Sequence, residues 1–272
     1  MPDQDLTARV NAAQSLLSTP AAEQAQTLER AFAECSRASA IAMARIDPAS
    51  GASVREVAGG LAIGLKGPVT TADLDAMEGH LLPNGPGAVQ LEVCPFVDPS
   101  LMSLLAARGY RVQEWQLAWA CAVPEAPLAP SQLPDPALRV RRVRAGEEEL
   151  FFRAVMAGFL ESEEIPEEAI ALMRPTAHAE RHELFLAFLN DEPIGGGSLA
   201  WSEGIAFVNG SGVRPGFRRK GAQGALLRAR FDRARELGCT VAYSTTFPGT
   251  ASRRNMERHG FSVAYPKLVM GR

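Results

Sequence analysis

The chain has too few cysteines, too widely spread, for a disulfide framework. Cys35, Cys94, Cys121 and Cys239 lie far apart. They form no Cys-x-x-Cys pair, which also removes the common structural zinc pattern. Reduced, mostly buried thiols in a cytoplasmic protein are the expectation. Histidine is equally scarce, at four residues: His80, His178, His182 and His259. His178 and His182 share helical i, i+4 spacing, but no acidic or cysteine partner flanks them in a metal-binding pattern. They read as solvated side chains, and no metal is expected. No apolar run approaches the length of a membrane span. The start, Met-Pro-Asp-Gln-Asp, is acidic and lacks a basic-then-apolar leader. Nor is there an excess of one charge: 28 Lys and Arg stand against 31 Asp and Glu, a net charge of −3, so no nucleic-acid partner is implied. At 272 residues and 46% hydrophobic, the chain can bury one large core or two ordinary ones.

What the sequence does have is concentrated at 213–227, Val-Arg-Pro-Gly-Phe-Arg-Arg-Lys-Gly-Ala-Gln-Gly-Ala-Leu-Leu. A largely apolar run over 204–213 precedes it and suits a strand. A 3.6-residue apolar period over 222–237 follows it and predicts a helix. The stretch is therefore a strand, a Gly- and Arg-rich turn and a helix start. A helix start leaves about four N–H groups unpaired and carries partial positive charge. Gly221 and Gly224 allow close approach to the main chain, and Arg218, Arg219 and Lys220 add charge. The pattern suits a phosphate or pyrophosphate. It is neither a Walker loop nor Gly-x-Gly-x-x-Gly. The bland alternative is a solvated basic helix start that binds nothing.

Arg218-x-x-Gly221-x-Gln223-Gly224, preceded by Val213-x-Pro215, resembles the acetyl-CoA signature of the GNAT superfamily of N-acetyltransferases. Ser252 to Phe261, with Asn255 and the pair Gly260-Phe261, resembles that family's next helix and its ending. The resemblance runs from about residue 138 to the C-terminus. It implies an α/β (α+β) fold with a mixed, mostly antiparallel central sheet flanked by helices. It also implies acetyl-CoA as cosubstrate, held at Val213, Arg218, Arg219, Lys220, Gly221, Ala222, Gln223, Gly224 and Asn255. The reaction implied is direct acetyl transfer to a primary amine of a small molecule or peptide. The chain departs from the family at Gln223, where Gly or Ala is usual. It departs again at Met256, where many relatives carry the tyrosine that protonates the leaving thiolate. Tyr265 is the nearest tyrosine in sequence, and Glu203 and Asn209 are the candidates for handling the amine proton. Each has an ordinary structural reading: strand packing for Tyr265, a turn for Glu203. A non-catalytic acyl-CoA-binding or regulatory module is the alternative function.

Before residue 138 the pattern is helical over 6–36 with a break at Pro20, strand-like at 54–65, and turn-forming at 83–87. Thr70 and Asp73 read as a capping box opening a helix. A strand at 89–93, a helix at 99–108 and one or two strands over 110–123 follow. Five prolines between 123 and 137 predict a linker. The expected partition is 1–123, a linker at 124–137, and a cofactor-binding domain at 138–272. A repeat links the two parts. Residues 87–95, a helix, then Arg108-Gly109-Tyr110 match residues 238–244, a helix, then His259-Gly260-Phe261. The first part carries acidic residues at its helix start, Asp73, Asp75 and Glu78. It reads as a degenerate copy that binds no cofactor.

Overall fold

The computed structural model describes residues 11, 14–46, 67–81, 90–126 and 135–272. The expected strand at 54–65 and turn at 83–87 lie outside the described residues, as does most of the proline-rich segment. In chain order the elements are α1 (Ala21–Ile46), α2 (Thr71–Leu81), β1 (Gln90–Val93), α3 (Pro99–Ala107), β2 (Arg111–Ala122), β3 (Leu138–Arg142), α4 (Glu148–Leu160), α5 (Glu167–Met173), β4 (His182–Leu189), β5 (Glu192–Ser202), β6 (Ile205–Phe207), β7 (Gly212–Val213), α6 (Ala222–Glu236), β8 (Val241–Thr246), α7 (Ala251–Arg258) and β9 (Ser262–Gly271). Two 3-10 turns, Arg174–His178 and Pro215–Phe217, complete the set.

These elements form two compact units, one containing Cys121–Ser244 and the other Leu16–Ala120 with Thr245–Arg272. This grouping differs from the expected linear partition at 124–137, most of which lies outside the described residues. The last strand, β9, lies between β1 and β2 and pairs antiparallel with both, so the C-terminal residues join the unit of the earlier chain.

In the unit containing 121–244 the strand order is β3-β4-β5-β6-β8, with β7 also on β5. All pairs are antiparallel except β6 with β8. Two tight turns connect the antiparallel strands. Asn190 and Asp191 have φ of 51° and 66°, and Glu203 and Gly204 have φ of 49° and 75°. Left-handed pairs of this kind match the twist of a hairpin. β5 is the central strand. A Cβ at Gly196 would strike the Phe151 ring of α4, and one at Gly197 would strike the Arg230 guanidinium of α6. Adjacent strand residues face opposite sides, so α4 and α6 cover opposite faces of β5. Phe151, Phe152, Ala154 and Val155 of α4 pack with Ile170, Leu184 and Leu186.

In the other unit, Val69, Leu74, Leu91, Val93, Leu101, Leu105, Tyr110 and Met270 form the core. The capping box forms as expected. Thr70 Oγ accepts from the Asp73 N–H at 3.2 Å, and Asp73 Oδ2 accepts from the Thr70 N–H at 2.8 Å. The repeated succession is also present. After α3 and after α7 the chain closes alike: Gly109 N–H bonds Ala106 O and Tyr110 N–H bonds Leu105 O, while Gly260 N–H bonds Glu257 O and Phe261 N–H bonds Met256 O. Both glycines are left-handed, at 83° and 81°. Both aromatics are buried. This helix ending needs φ > 0 just past the last turn, where glycine carries no steric penalty.

Candidate active site

The expected single strand over 204–213 is interrupted. β6 pairs with β8 only from Ile205↔Val241 to Phe207↔Tyr243. The Val208 N–H reaches Tyr243 O at 3.0 Å, and there the pairing stops. The chain then bulges through 209–211 before β7 resumes against β5, at Gly196↔Gly212 and Gly195↔Val213. The two parallel strands thus part at Asn209. Three donors fix the Asn209 carbonyl: Ser198 N–H at 3.1 Å, Ser198 Oγ at 3.0 Å and Arg230 Nη1 at 3.2 Å. The Asn209 side chain spans the point of parting, its Oδ1 accepting from Ser244 Oγ at 3.0 Å. The N–H groups of Gly210 and Ser211 have no backbone partner among the described residues. The Ser211 hydroxyl is shut in without a hydrogen-bond partner among them.

Arg230 is the residue that sequence reasoning missed. It is 2% exposed, and its other bonds run to Leu226 O at 3.1 Å and Ser198 O at 3.0 Å. Burial pulls its guanidinium down to about 9, still above neutral pH, so it stays charged. A buried charge without bonds would be costly; here the backbone carbonyls of Leu226, Ser198 and Asn209 accept from it. Its position was legible. Leu226, Arg230 and Ala234 follow i, i+4 spacing on the buried face of α6.

Beyond β7 the chain makes the 3-10 turn Pro215–Phe217 and then starts α6. Arg219 and Gly221 are left-handed, with φ of 63° and 85°. Such reversals gather successive N–H groups into a concave anion-binding surface. Gly221 is the N-cap residue, and no side chain caps the helix. The N–H groups of Ala222, Gln223 and Gly224 are therefore left for a ligand or solvent. Arg219 and Lys220 are exposed beside them, and Lys220 Nζ lies 5.3 Å from the Phe217 ring centre. An uncapped helix start with a glycine at its N-cap and two adjacent cations fits a pyrophosphate group.

The other expected site residues fall elsewhere. Glu203 occupies the β5–β6 turn. Ser202 is seven residue steps along the strand from Gly195, the partner of Val213, which is about 23 Å of strand. That distance removes Glu203 from the helix start. Tyr265 is on β9 in the other unit and is buried, its hydroxyl donating to Glu29 Oε1 at 2.8 Å. The neighbouring Lys267 bonds both Glu29 and Glu92. Burial alone would lower the Lys267 ammonium, but the two carboxylates outweigh it and hold it above its ordinary value. Tyr265 thus belongs to a buried polar network. Asn255 is on α7 of the same unit, where its carbonyl accepts from the His259 N–H and from Nδ1 at 2.8 Å. Arg218 does not present its guanidinium to the helix start; its two Nη groups bond Glu161 and the Gly158 carbonyl.

Residues 148–261 match the model of the acetyltransferase (GNAT) family. Over that stretch, less than half of the chain, the sequence is similar to the GNAT acetyltransferases, a family that uses acetyl-CoA as cosubstrate. Its fold is similar to that of a GCN5-related N-acetyltransferase from Sphaerobacter thermophilus, at 18% identity and a TM-score of 0.54, covering 74% of this chain and 67% of that one. It is similar to another from Kribbella flavida, at 17% identity and 0.53, covering 75% and 77%. A tandem GNAT protein from the clavulanic acid biosynthesis pathway matches at 14% identity and 0.54, covering 74% and 68%. At these identities the likeness concerns the fold. No curated protein matches the sequence. No helix among the described residues is long and apolar enough to cross a membrane.

Proposed function

We propose that the chain is an N-acetyltransferase that moves an acetyl group from acetyl-CoA directly to a primary amine of a small molecule or peptide. One observation carries this reading: an uncapped helix start lies on the loop that follows the point where β6 and β8 part. The pyrophosphate would meet the N–H groups of residues 222–224, with Arg219 and Lys220 supplying the attraction. The acyl arm would run into the opening between the strands. There the N–H groups of Gly210 and Ser211 are suited to hold the carbonyl oxygen as negative charge develops on it. The amine nitrogen bonds the acetyl carbon, the C–S bond breaks, and the amine proton leaves as the thiolate gains one.

The side chains that hold the Asn209 carbonyl and amide, those of Ser198, Arg230 and Ser244, include no carboxylate, histidine or tyrosine. Asn209 carries an amide, which is no base near neutral pH, so we read it as the pin that holds the strands at their parting. Proton transfer is left to solvent. That same feature supports the second reading, a non-catalytic acyl-CoA-binding module. Release of free thiol from acetyl-CoA with a panel of amines separates the two.

We assign residues 1–123 as a degenerate GNAT-like half that binds no CoA. Its repeated strand-helix-glycine-aromatic succession supports that origin. We place the protein in the cytoplasm, where unpaired thiols stay reduced.

The test of the site is Gly221→Asp, which puts a side chain and a negative charge into the cradle at a left-handed position. Calorimetry should show acetyl-CoA affinity falling at least tenfold in the folded variant. Unchanged affinity would remove the site.

A further inference from the structure

We propose that Arg218, although it opens the signature, is not a phosphate ligand but a positioning residue that neutralises the C-terminal end of α4 beside the cofactor loop. This rests on the acetyl-CoA reading above.

The donors of Arg218 are already engaged. Nη1 donates to Glu161 Oε1 at 2.9 Å and Nη2 to the Gly158 carbonyl at 3.0 Å. Gly158 is in the last turn of α4, where carbonyls have no intrahelical partner and the helix carries its partial negative charge. Glu161, the left-handed C-cap residue, adds a full negative charge there. Arg214 repeats the arrangement one turn earlier on the same loop. Its Nε donates to Glu163 and its Nη1 to Glu192, both at 2.8 Å. Two arginines of the cofactor loop thus hold two carboxylates of the segment after α4. Between them α4 meets β7 without side chains: a Cβ at Gly158 would lie 2.5 Å from the Val213 nitrogen. The negative end of α4 is therefore packed against the strand that leads into the positive start of α6.

A ligand bearing several phosphates would be repelled by an unneutralised α4 end and Glu161. Arg218 cancels both without touching the ligand. Arg219 and Lys220, which have no carboxylate partner among the described residues, are left to attract it. The signature arginine and its two basic neighbours then have different tasks.

A charge swap tests this. Arg218→Glu should weaken acetyl-CoA binding at least tenfold, and should speed amide exchange over 158–166 in the free protein. Adding Glu161→Arg restores the neutral pair with its signs reversed. The double variant should regain at least fivefold in affinity and slow the exchange again. If Arg218 instead bonds a phosphate, the double variant will bind as poorly as the single one, and the proposal falls. Should the wild type not bind acetyl-CoA, the functional reading fails while exchange over 158–166 still reports the tie. Exchange unchanged by Arg218→Glu would overturn it. Arg218→Gln, which keeps a donor without charge, should lie between wild type and Arg218→Glu in both measurements.

Discussion

Gly158→Ala sets two effects of opposite sign against each other. Alanine is the better helix former by about 0.8–1 kcal/mol in a helix interior, so propensity alone would stabilise α4. The space does not allow it. The added Cβ would lie 2.5 Å from the Val213 nitrogen, 2.8 Å from the Gly212 Cα and 2.9 Å from the Gly212 carbonyl carbon. Unstrained heavy-atom contacts fall near 3.5–4.0 Å. All three obstacles are backbone, so no side chain can rotate away. Nor can β7 retreat, because it pairs with Gly195 and Gly196, and a Cβ at Gly212 would itself strike Val155. Overpacking of this kind costs about 1–3 kcal/mol. A backbone clash belongs at the upper end, leaving about 2 kcal/mol of destabilisation after the helix gain. At about 2–4 °C per kcal/mol, typical of domains near this size, that corresponds to a Tm lower by about 4–8 °C. Thermal unfolding followed by circular dichroism measures it. Gly216→Ala, whose Cβ would meet nothing within 4 Å, is the control and should leave Tm unchanged. A Gly158→Ala protein as stable as wild type would refute the view that α4 and β7 meet backbone to backbone.

Two further outcomes follow from the site and its surroundings. Titration should give one CoA per chain, weakened by added salt, because the N-terminal turn of α2 is occupied by the Thr70–Asp73 box while that of α6 is uncapped; a stoichiometry of two would contradict the reading. His182 should make stability depend on pH. Burial holds its ring below the ordinary value, against the opposing effects of its bond to Thr176 O and of Glu183. The unfolded ring, near 6.5, therefore takes up a proton first, and stability falls as pH drops through about 6.5. His182→Gln should flatten that part of the denaturation profile between pH 7 and 5; equal slopes in the two proteins would show that the ring is not buried neutral.

Much of the fold was legible because local signals agreed with tertiary demands. Thr70 and Asp73 capped their helix, and Gly109 and Gly260 ended theirs, each through bonds spanning a few residues. The same locality explains the errors. The expected helical pattern stops at residue 36, yet α1 continues to Ile46. The bulge at 209–211 carries no turn residue to mark it except Gly210; Ser198 and Arg230 impose it from other elements. The place of β9 was not legible either. Its alternation announces a strand but not which strands will flank it, and pairing across more than 140 residues leaves no local trace.

The site divides along the same line. A backbone cradle is written locally, in a glycine at the N-cap and the charges beside it, so Arg219 to Gly224 could be read from the order of residues alone. A side chain's task is written in its partner, and the partners here are distant in sequence. Arg218 and Arg219 are adjacent, both basic and both half of one motif. Yet Arg218 has a carbonyl and a carboxylate 57 to 60 residues away, and Arg219 has a left-handed backbone instead. Identical chemistry at neighbouring positions therefore splits into two roles. Arg230 makes the converse point: an arginine on the apolar stripe of a helix looks misplaced until the Ser198 and Asn209 carbonyls beside the bulge take its donors. Polar residues that break a pattern are thus where sequence reasoning should look for a backbone that has left its ladder.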